Sequence, residues 1–178
     1  MNILFISILL SVLSNNPGRD NFTDTASQKM TIPIVNIFSN VVIYDNVTVY
    51  ITEGDQNEII VNNAADADNL KIKVKDEVLI IKSKKGILSN SKPVKVFIMV
   101  RNIHGITIMG DSEVRTIGEL SCRNLKLEIY GDGAIYASTK ANEVNTFIKG
   151  LGKIEVKGNF KNTSVNKDAY GNMTTTYN

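Results

Sequence analysis

The chain has 178 residues, of which 43% are hydrophobic, and its 20 basic and 18 acidic residues give a net charge of +2. This length supports one domain with a hydrophobic core, and the apolar content argues against global disorder. The near balance of charge gives no basic footprint for nucleic acid, and no block of lysine and arginine predicts attachment to an anionic membrane. A single cysteine excludes a disulfide framework within one chain.

The first 28 residues predict an exported protein. Residues 3–13 form an apolar run of 11 residues, shorter than the roughly 20 that a membrane-spanning helix needs. Residues 1–14 therefore read as a signal peptide cleaved after Ser14, with a buried first strand as the alternative. Residues 15–28 are polar and aperiodic, which predicts a linker. Since no cysteine directly follows the apolar run, we expect a periplasmic, surface-bound or extracellular protein without a lipid anchor.

Residues 29–100 predict a meander of short β-strands. Apolar and polar residues alternate from Val47 to Thr52, again from Leu70 to Lys75, and again in residues 94–100, which is the pattern of half-buried strands. Turn residues such as Asp76-Glu77 separate these segments. The lysines of residues 82–92 predict a solvated face. The fold class predicted for this part of the chain is all-β.

A short glycine-containing phrase recurs in the second half of the chain. Its reference positions are Gly110, Gly131, Gly150 and Ala169, spaced by 21, 19 and 19 residues. A repeat of about 20 residues is typical of a stacked array or solenoid. Glycine is expected where such a chain turns a corner between strands, because it adopts backbone conformations that other residues avoid.

Residues at the same distance from each recurring position form columns, and some of these columns are mostly apolar. The mostly apolar columns lie two residues before the reference position and four after it: Ile108, Ile129, Ile148 and Lys167, then Val114, Ile135, Ile154 and Met173. The opposite parity is mixed, with Met109, Tyr130, Lys149 and Asp168 in one column. Such columns predict that residues 101–178 form the short coils of a right-handed parallel β-helix or solenoid. Residues 29–178 would then be one β domain, a meander followed by coils.

The residues that usually carry chemistry are sparse. His104 is the only histidine and Cys122 the only cysteine, and neither has the neighbours that a metal site or an activated thiol requires. We therefore predict no catalytic residue, no cofactor site and no metal site.

In these features the chain resembles the putative auto-transporter adhesin family with a head GIN domain, found mostly in secreted or surface proteins of Bacteroidetes-like bacteria. The resemblance rests on residues 38–43 and 47–54, on residues 79–81, on the entry to the repeats at 94–109, and on turns that read Gly-Asp-Ser, Gly-Asp-Gly and Gly-Leu-Gly. Arg101 stands where the family more usually has proline. The resemblance implies a β-helix-like fold in the periplasm or at the cell surface.

The leading hypothesis is a non-catalytic binding or adhesion module of the cell envelope, and therefore not an enzyme. Outward residues of the repeats would form its binding surface, and the predicted patch comprises Glu128, Tyr130, Asp132 and Tyr136. The expected partner is a polysaccharide or another cell-surface component, without nucleic acid and without a stable transmembrane segment.

Two alternatives remain open on the sequence. A polysaccharide-degrading β-helix would need paired carboxylates, and Asp111 and Asp132 occupy equivalent turn positions that would stack about 4.8 Å apart. Leu151 interrupts that column. A structural protein that assembles by stacking its coils end to end is the other alternative. The sequence leaves the oligomeric state undetermined.

Overall fold

The computed structural model describes residues 29–34, 36–84, 92–167 and 170–177. The predicted signal peptide and linker lie outside the described residues. No helix within the described ranges has the length and apolar character needed to cross a bilayer. The elements are β1 (Met30–Ile32), β2 (Asn40–Tyr44), β3 (Val47–Glu53), β4 (Glu58–Val61), α1 (Ala64–Asp68), β5 (Leu70–Lys75), β6 (Val78–Ser83), β7 (Val94–Val100), β8 (Gly105–Met109), β9 (Glu113–Ile117), β10 (Leu120–Ser121), β11 (Asn124–Tyr130), β12 (Ala134–Lys149), β13 (Lys153–Lys167) and β14 (Asn172–Tyr177).

All the strands belong to one mixed sheet. Its main path runs β1-β4-β7-β3-β9-β12-β11-β8-β2-β6-β5. The long strand β12 pairs with β9 through its first residues and with β11 through its last. It therefore joins two groups of strands, which we call wing A (β1, β4, β7, β3 and β9) and wing B (β11, β8, β2, β6 and β5). Strands β13 and β14 continue the sheet beyond the other edge of β12.

The all-β class is confirmed, but the prediction of a right-handed parallel β-helix preceded by a meander was wrong. Parallel ladders are joined to antiparallel ones, namely β1–β4, β4–β7 and β5–β6, in a single curled half-barrel sheet. Most strands that are consecutive in the chain are not neighbours in the sheet. For example, β2 pairs with β6 and β8 rather than with β3. The repeats predict which residues of neighbouring parallel strands lie side by side. The antiparallel strands lie outside the repeats, so the repeats could not predict how they pair.

The register inferred from the repeats is present in the parallel ladders. Ile129 lies beside Ile108 on one side and beside Ile148 on the other. Ile135 lies beside Val114 and Ile154 in the same way. All six side chains are buried, with at most 1% of their surface exposed. The apolar columns of the sequence are therefore continuous stacks in the core.

The concave side of the curled sheet holds the core. Inward side chains of wing A, such as Val49 and Ile98, and of wing B, such as Ile43 and Ile81, are at most 1% exposed and belong to one hydrophobic cluster. Because strand side chains alternate between the two faces, the residues between them point outward. Each wing consequently presents an outward face of regularly spaced side chains.

The recurring glycines lie at stacked turns, as predicted. Gly110, Gly131 and Gly150 have φ values of 122°, 134° and 125°, a region that side chains with a Cβ rarely adopt. The N–H of Gly110 donates to the carbonyl of Tyr130, and that of Gly131 to the carbonyl of Lys149, both at 2.9 Å. These turns therefore hydrogen-bond to the strands of the next layer and align them.

Ser112 secures the first turn of the stack. Its side chain is fully buried; its hydroxyl donates to the carbonyl of Asp45 and accepts from the N–H of Val47 at 3.1 Å. The serine thereby satisfies backbone groups at the β2–β3 turn, which would otherwise be buried without partners.

A hairpin turn explains the antiparallel end of wing B. Asp76 and Glu77 have φ values of 51° and 60°, and two successive residues with positive φ form the type I′ turn that suits a two-residue hairpin. The turn pairs Lys75 with Val78, and Lys71 then lies opposite Lys82.

Gly158 in β13 is the glycine position that is expected to tolerate a side chain least. Its φ is 130°, and a Cβ there would overlap the carbonyl oxygen of Thr139. We expect Gly158→Ala to lower the free energy of unfolding by at least about 3 kcal/mol. Gly118 is the matched control, because its φ is 77° but a Cβ would meet nothing within 4 Å. Gly118→Ala should cost only about 1–2 kcal/mol. Urea denaturation measures both, and equal losses would show that the overlap does not matter.

Candidate functional site

The outward face of wing A, continued by the first residues of β12 and β13, carries a continuous row of aromatic and charged side chains. The register places Phe97 beside Tyr50, Tyr50 beside Arg115, Arg115 beside Tyr136, and Tyr136 beside Glu155. These five residues come from β7, β3, β9, β12 and β13. We call this row the aromatic ladder.

The members of the ladder pack against one another. The rings of Tyr50 and Phe97 are stacked, with centroids 4.9 Å apart and planes 15° from parallel. The guanidinium carbon of Arg115 lies 4.0 Å from the centroid of the Tyr136 ring, and the amine of Lys153 lies 5.2 Å from the same centroid. Contacts of these kinds hold the half-buried rings and the exposed Arg115 in one arrangement.

The charges along the ladder are paired. Nε of Arg115 donates to Oε1 of Glu113 at 2.7 Å, and this hydrogen bond raises the pKa of Arg115. The carboxylate of Glu155 lies 3.1 Å from the amine of Lys153 and 3.3 Å from that of Lys157. Hydrogen bonds from these two lysines lower the pKa of Glu155. The row is therefore charged but close to neutral in sum.

The predicted patch is divided between the two wings. Glu128 and Tyr130 lie on the outward face of β11 in wing B. Glu128 pairs with Lys126 at 2.9 Å and accepts a hydrogen bond from the hydroxyl of Thr107 at 3.2 Å. The Tyr130 ring lies 5.3 Å from that of Phe147. These two predicted residues are thus brought together on one face.

The other two predicted residues lie elsewhere. Asp132 is exposed on the turn after β11, and its Oδ1 accepts the N–H of Leu151 from the next turn at 3.3 Å. Tyr136 follows that turn and belongs to the aromatic ladder of wing A. A turn and a change of ladder therefore separate Tyr130 from Tyr136, and a patch containing both stays a prediction.

Sequence reasoning missed most of the aromatic ladder, although a signal for part of it was available. Arg115, Tyr136 and Glu155 are each the fifth residue after a recurring glycine, at 110, 131 and 150. These three residues form an outward column of the repeats. Tyr50 and Phe97 precede the repeats, so no periodicity relates them to it.

A second feature is an open cleft of about 480 Å³ near the bend of β12. Its lining includes Cys122, Lys140, Phe160 and Lys161. Burial raises the pKa of the Cys122 thiol, which reduces the thiolate fraction that a nucleophile needs. The cleft therefore lacks an activated thiol.

The structure adds no group of metal ligands. Within the described ranges no three His, Cys, Asp or Glu side chains lie where they could hold a metal ion. His104 is exposed. One oxygen of Asp132, a member of the carboxylate pair considered for hydrolysis, is engaged by the backbone of the next turn.

The comparison with family profiles identifies the family of this chain. Its sequence profile, described as "putative auto-transporter adhesin, head GIN domain", matches residues 37–176, which confirms the resemblance found in the sequence. The search of curated proteins gave no match. The crystal structure of a putative adhesin from Bacteroides fragilis matches with a TM-score of 0.54 and 16% identity, over 85% of this chain and 97% of that one. A putative adhesin from Parabacteroides distasonis matches with a TM-score of 0.52 and 13% identity, over 85% and 96%. At these identities the structural likeness concerns the fold alone.

The contact between Arg115 and Tyr136 can be measured by a double-mutant cycle. We expect Arg115→Ala and Tyr136→Ala to be coupled by about 0.5–1 kcal/mol of unfolding free energy, the range for a cation–π contact at an exposed site. Urea denaturation of the two single variants and the double variant gives this value. Arg123, which is exposed and belongs to no strand of the ladder, provides the control pair with Tyr136. Additive losses for Arg115 and Tyr136 would contradict the contact.

Proposed function

The chain belongs to the putative auto-transporter adhesin family with a head GIN domain, and from this membership we propose that it is a non-catalytic glycan-binding module exported to the cell envelope. The family description supports the location and the binding role. Neither that description nor the names of the two similar crystal structures refers to an enzyme.

The observation that carries the proposal is the aromatic ladder. A ligand that binds to a flat face gains affinity when the side chains it meets are already ordered, because less conformational entropy is lost on binding. In the ladder, ring stacking and the Glu113–Arg115 pair supply this order before any ligand arrives. The row extends along five strands, which suits an extended chain better than a single small molecule.

The packing also determines how a glycan would bind. Tyr50 and Phe97 turn their ring faces toward each other, and Arg115 covers a face of Tyr136. A ligand would therefore meet ring edges, tyrosine hydroxyl groups and the remaining N–H groups of Arg115. Hydroxyl groups both donate and accept hydrogen bonds, and guanidinium groups donate several in one plane. Sugar hydroxyls are suitable partners for both, and the paired charges of the row favour a neutral glycan.

Affinity electrophoresis tests this function. The purified protein is run through gels that contain mannan, xylan or β-glucan, and we expect at least one of these neutral polysaccharides to slow it. Tyr136→Ala and Arg115→Ala should each weaken that binding about fivefold or more, because each breaks the ladder at its centre. Since the charges involved are already paired, 0.5 M NaCl should change the retardation little.

Tyr130→Ala is the matched control, because it removes an exposed tyrosine from wing B and leaves the ladder intact. It should bind as the unmodified protein does. The proposal fails if none of the neutral polysaccharides slows the protein, or if Tyr130→Ala removes binding while Tyr136→Ala does not.

A further inference from the structure

We propose that the outward face of wing B is a second binding site, and that its ligand is an acidic polysaccharide. The β5–β6 hairpin presents a cluster of lysines to solvent. Lys71, Lys73 and Lys75 alternate along β5 with inward apolar residues, and Lys82 extends from β6. All four side chains are exposed. They lie on one face, because the antiparallel register places the outward residues of both strands side by side.

The central pair of this cluster carries like charges. Lys71 lies directly opposite Lys82, and like charges at such positions destabilise a sheet. Among the described residues, neither amine has a carboxylate within ion-pair distance; the ion pair of this hairpin joins Lys75 to Asp76 at 3.9 Å. A bound anion would offset the repulsion.

Protection of a sheet edge explains only part of the cluster. Strand β5 ends the path of the sheet, and lysines on an edge strand discourage pairing with another chain. Lys82 belongs to β6, which is paired on both sides, with β5 and with β2. Edge protection therefore accounts for the lysines of β5 and leaves Lys82 unexplained.

The cluster continues across wing B as a row of basic and aromatic side chains. Register places Lys82 beside Tyr44, Tyr44 beside Met109, Met109 beside Tyr130, and Tyr130 beside Lys149. The amine of Lys82 lies 5.7 Å from the centroid of the Tyr44 ring. With Lys71, six strands contribute, so the row is about 24 Å long at the usual strand spacing. We call this row the lysine row; it spans an extended polymer rather than one sugar.

The face around the lysine row has an excess of positive charge. Within the five strands of wing B, Glu128 is the acidic residue on the outward face, and Lys126 pairs with it at 2.9 Å. The aromatic ladder differs, because the carboxylates of Glu113 and Glu155 along it form ion pairs with the neighbouring basic side chains. A polyanion would therefore be attracted to wing B and not to the aromatic ladder.

An acidic polysaccharide fits this face better than an anionic membrane. Stable attachment to a membrane adds buried apolar side chains to the attraction of basic residues for lipid headgroups. In the described part of wing B, Tyr130 is the one large hydrophobic residue that is substantially exposed, at 37%. The others, such as Ile117 and Val165, lie outside the strands of wing B. A flat basic row with tyrosines suits a polymer that lies along it.

Dextran sulfate and dextran test the proposal, because they share one backbone and differ in charge. Isothermal titration calorimetry should detect binding of dextran sulfate and weaker or no binding of dextran. The double variant Lys71→Gln/Lys82→Gln should bind dextran sulfate about tenfold more weakly. Raising NaCl from 0.05 to 0.5 M should weaken the binding of the unmodified protein, since exposed charges are screened.

The matched control removes the same charge from another part of the surface. Lys92→Gln/Lys95→Gln changes two exposed lysines near β7 and should bind dextran sulfate as the unmodified protein does. Thermal melting verifies folding: the Lys71→Gln/Lys82→Gln variant should be at least as stable as the unmodified protein, because the substitution removes repulsion.

Three results would overturn the proposal. They are equal weakening in the two double variants, equal binding of dextran and dextran sulfate, and binding to phosphatidylglycerol vesicles without binding to dextran sulfate. The site is independent of the aromatic ladder. Tyr136→Ala should leave dextran sulfate binding unchanged, so the two proposals fail separately.

Discussion

The stacked turns are the constraint on which the rest of the structure depends. Their backbones approach so closely that a Cβ on Gly131 would lie 2.7 Å from the carbonyl oxygen of Gly110, and one on Gly150 would lie 2.5 Å from that of Gly131. Only glycine allows both this approach and the positive φ. As a result, each turn places the first residue of the following strand beside the equivalent residue of the neighbouring strand. A shift of one residue would turn the buried isoleucines outward, so the turn stack and the core specify the same register.

This register creates both outward rows. Residues separated by about twenty positions in the chain become lateral neighbours, as Arg115, Tyr136 and Glu155 do in the aromatic ladder. The two wings nevertheless acquire different chemistry, because the strands that extend them come from outside the repeats. Strands β3 and β7 bring aromatic rings to wing A, and the β5–β6 hairpin brings lysines to wing B. The side chains that each outward face presents therefore depend on how the repeated strands are joined to the strands outside the repeats.

The sequence was a good guide to register and a poor guide to how the sheet is completed. The columns of Ile108, Ile129 and Ile148 predicted buried neighbours correctly, because alternation and spacing act locally. The β-helix was wrong because antiparallel pairing depends on turns such as Asp76-Glu77, which could equally have separated unpaired strands. The predicted binding patch combined residues that are close in sequence. The turn at Gly131 separates Tyr130 from Tyr136, and these two tyrosines lie in different ladders. Comparing the fifth residue after each glycine would have linked Tyr136 with Arg115.

The charge of each outward face also depends on how the strands are joined. A net charge of +2 predicted no basic footprint for nucleic acid, but that number is a sum over surfaces that point in different directions. Lys71 and Lys82 are eleven positions apart and become direct neighbours only because the hairpin folds β5 onto β6. Meanwhile Glu113 and Glu155 are neutralised on wing A and do nothing to lower the potential above wing B. Since exposed charges are screened within about 10 Å at 0.1 M salt, a polymer lying on one wing responds to that wing alone.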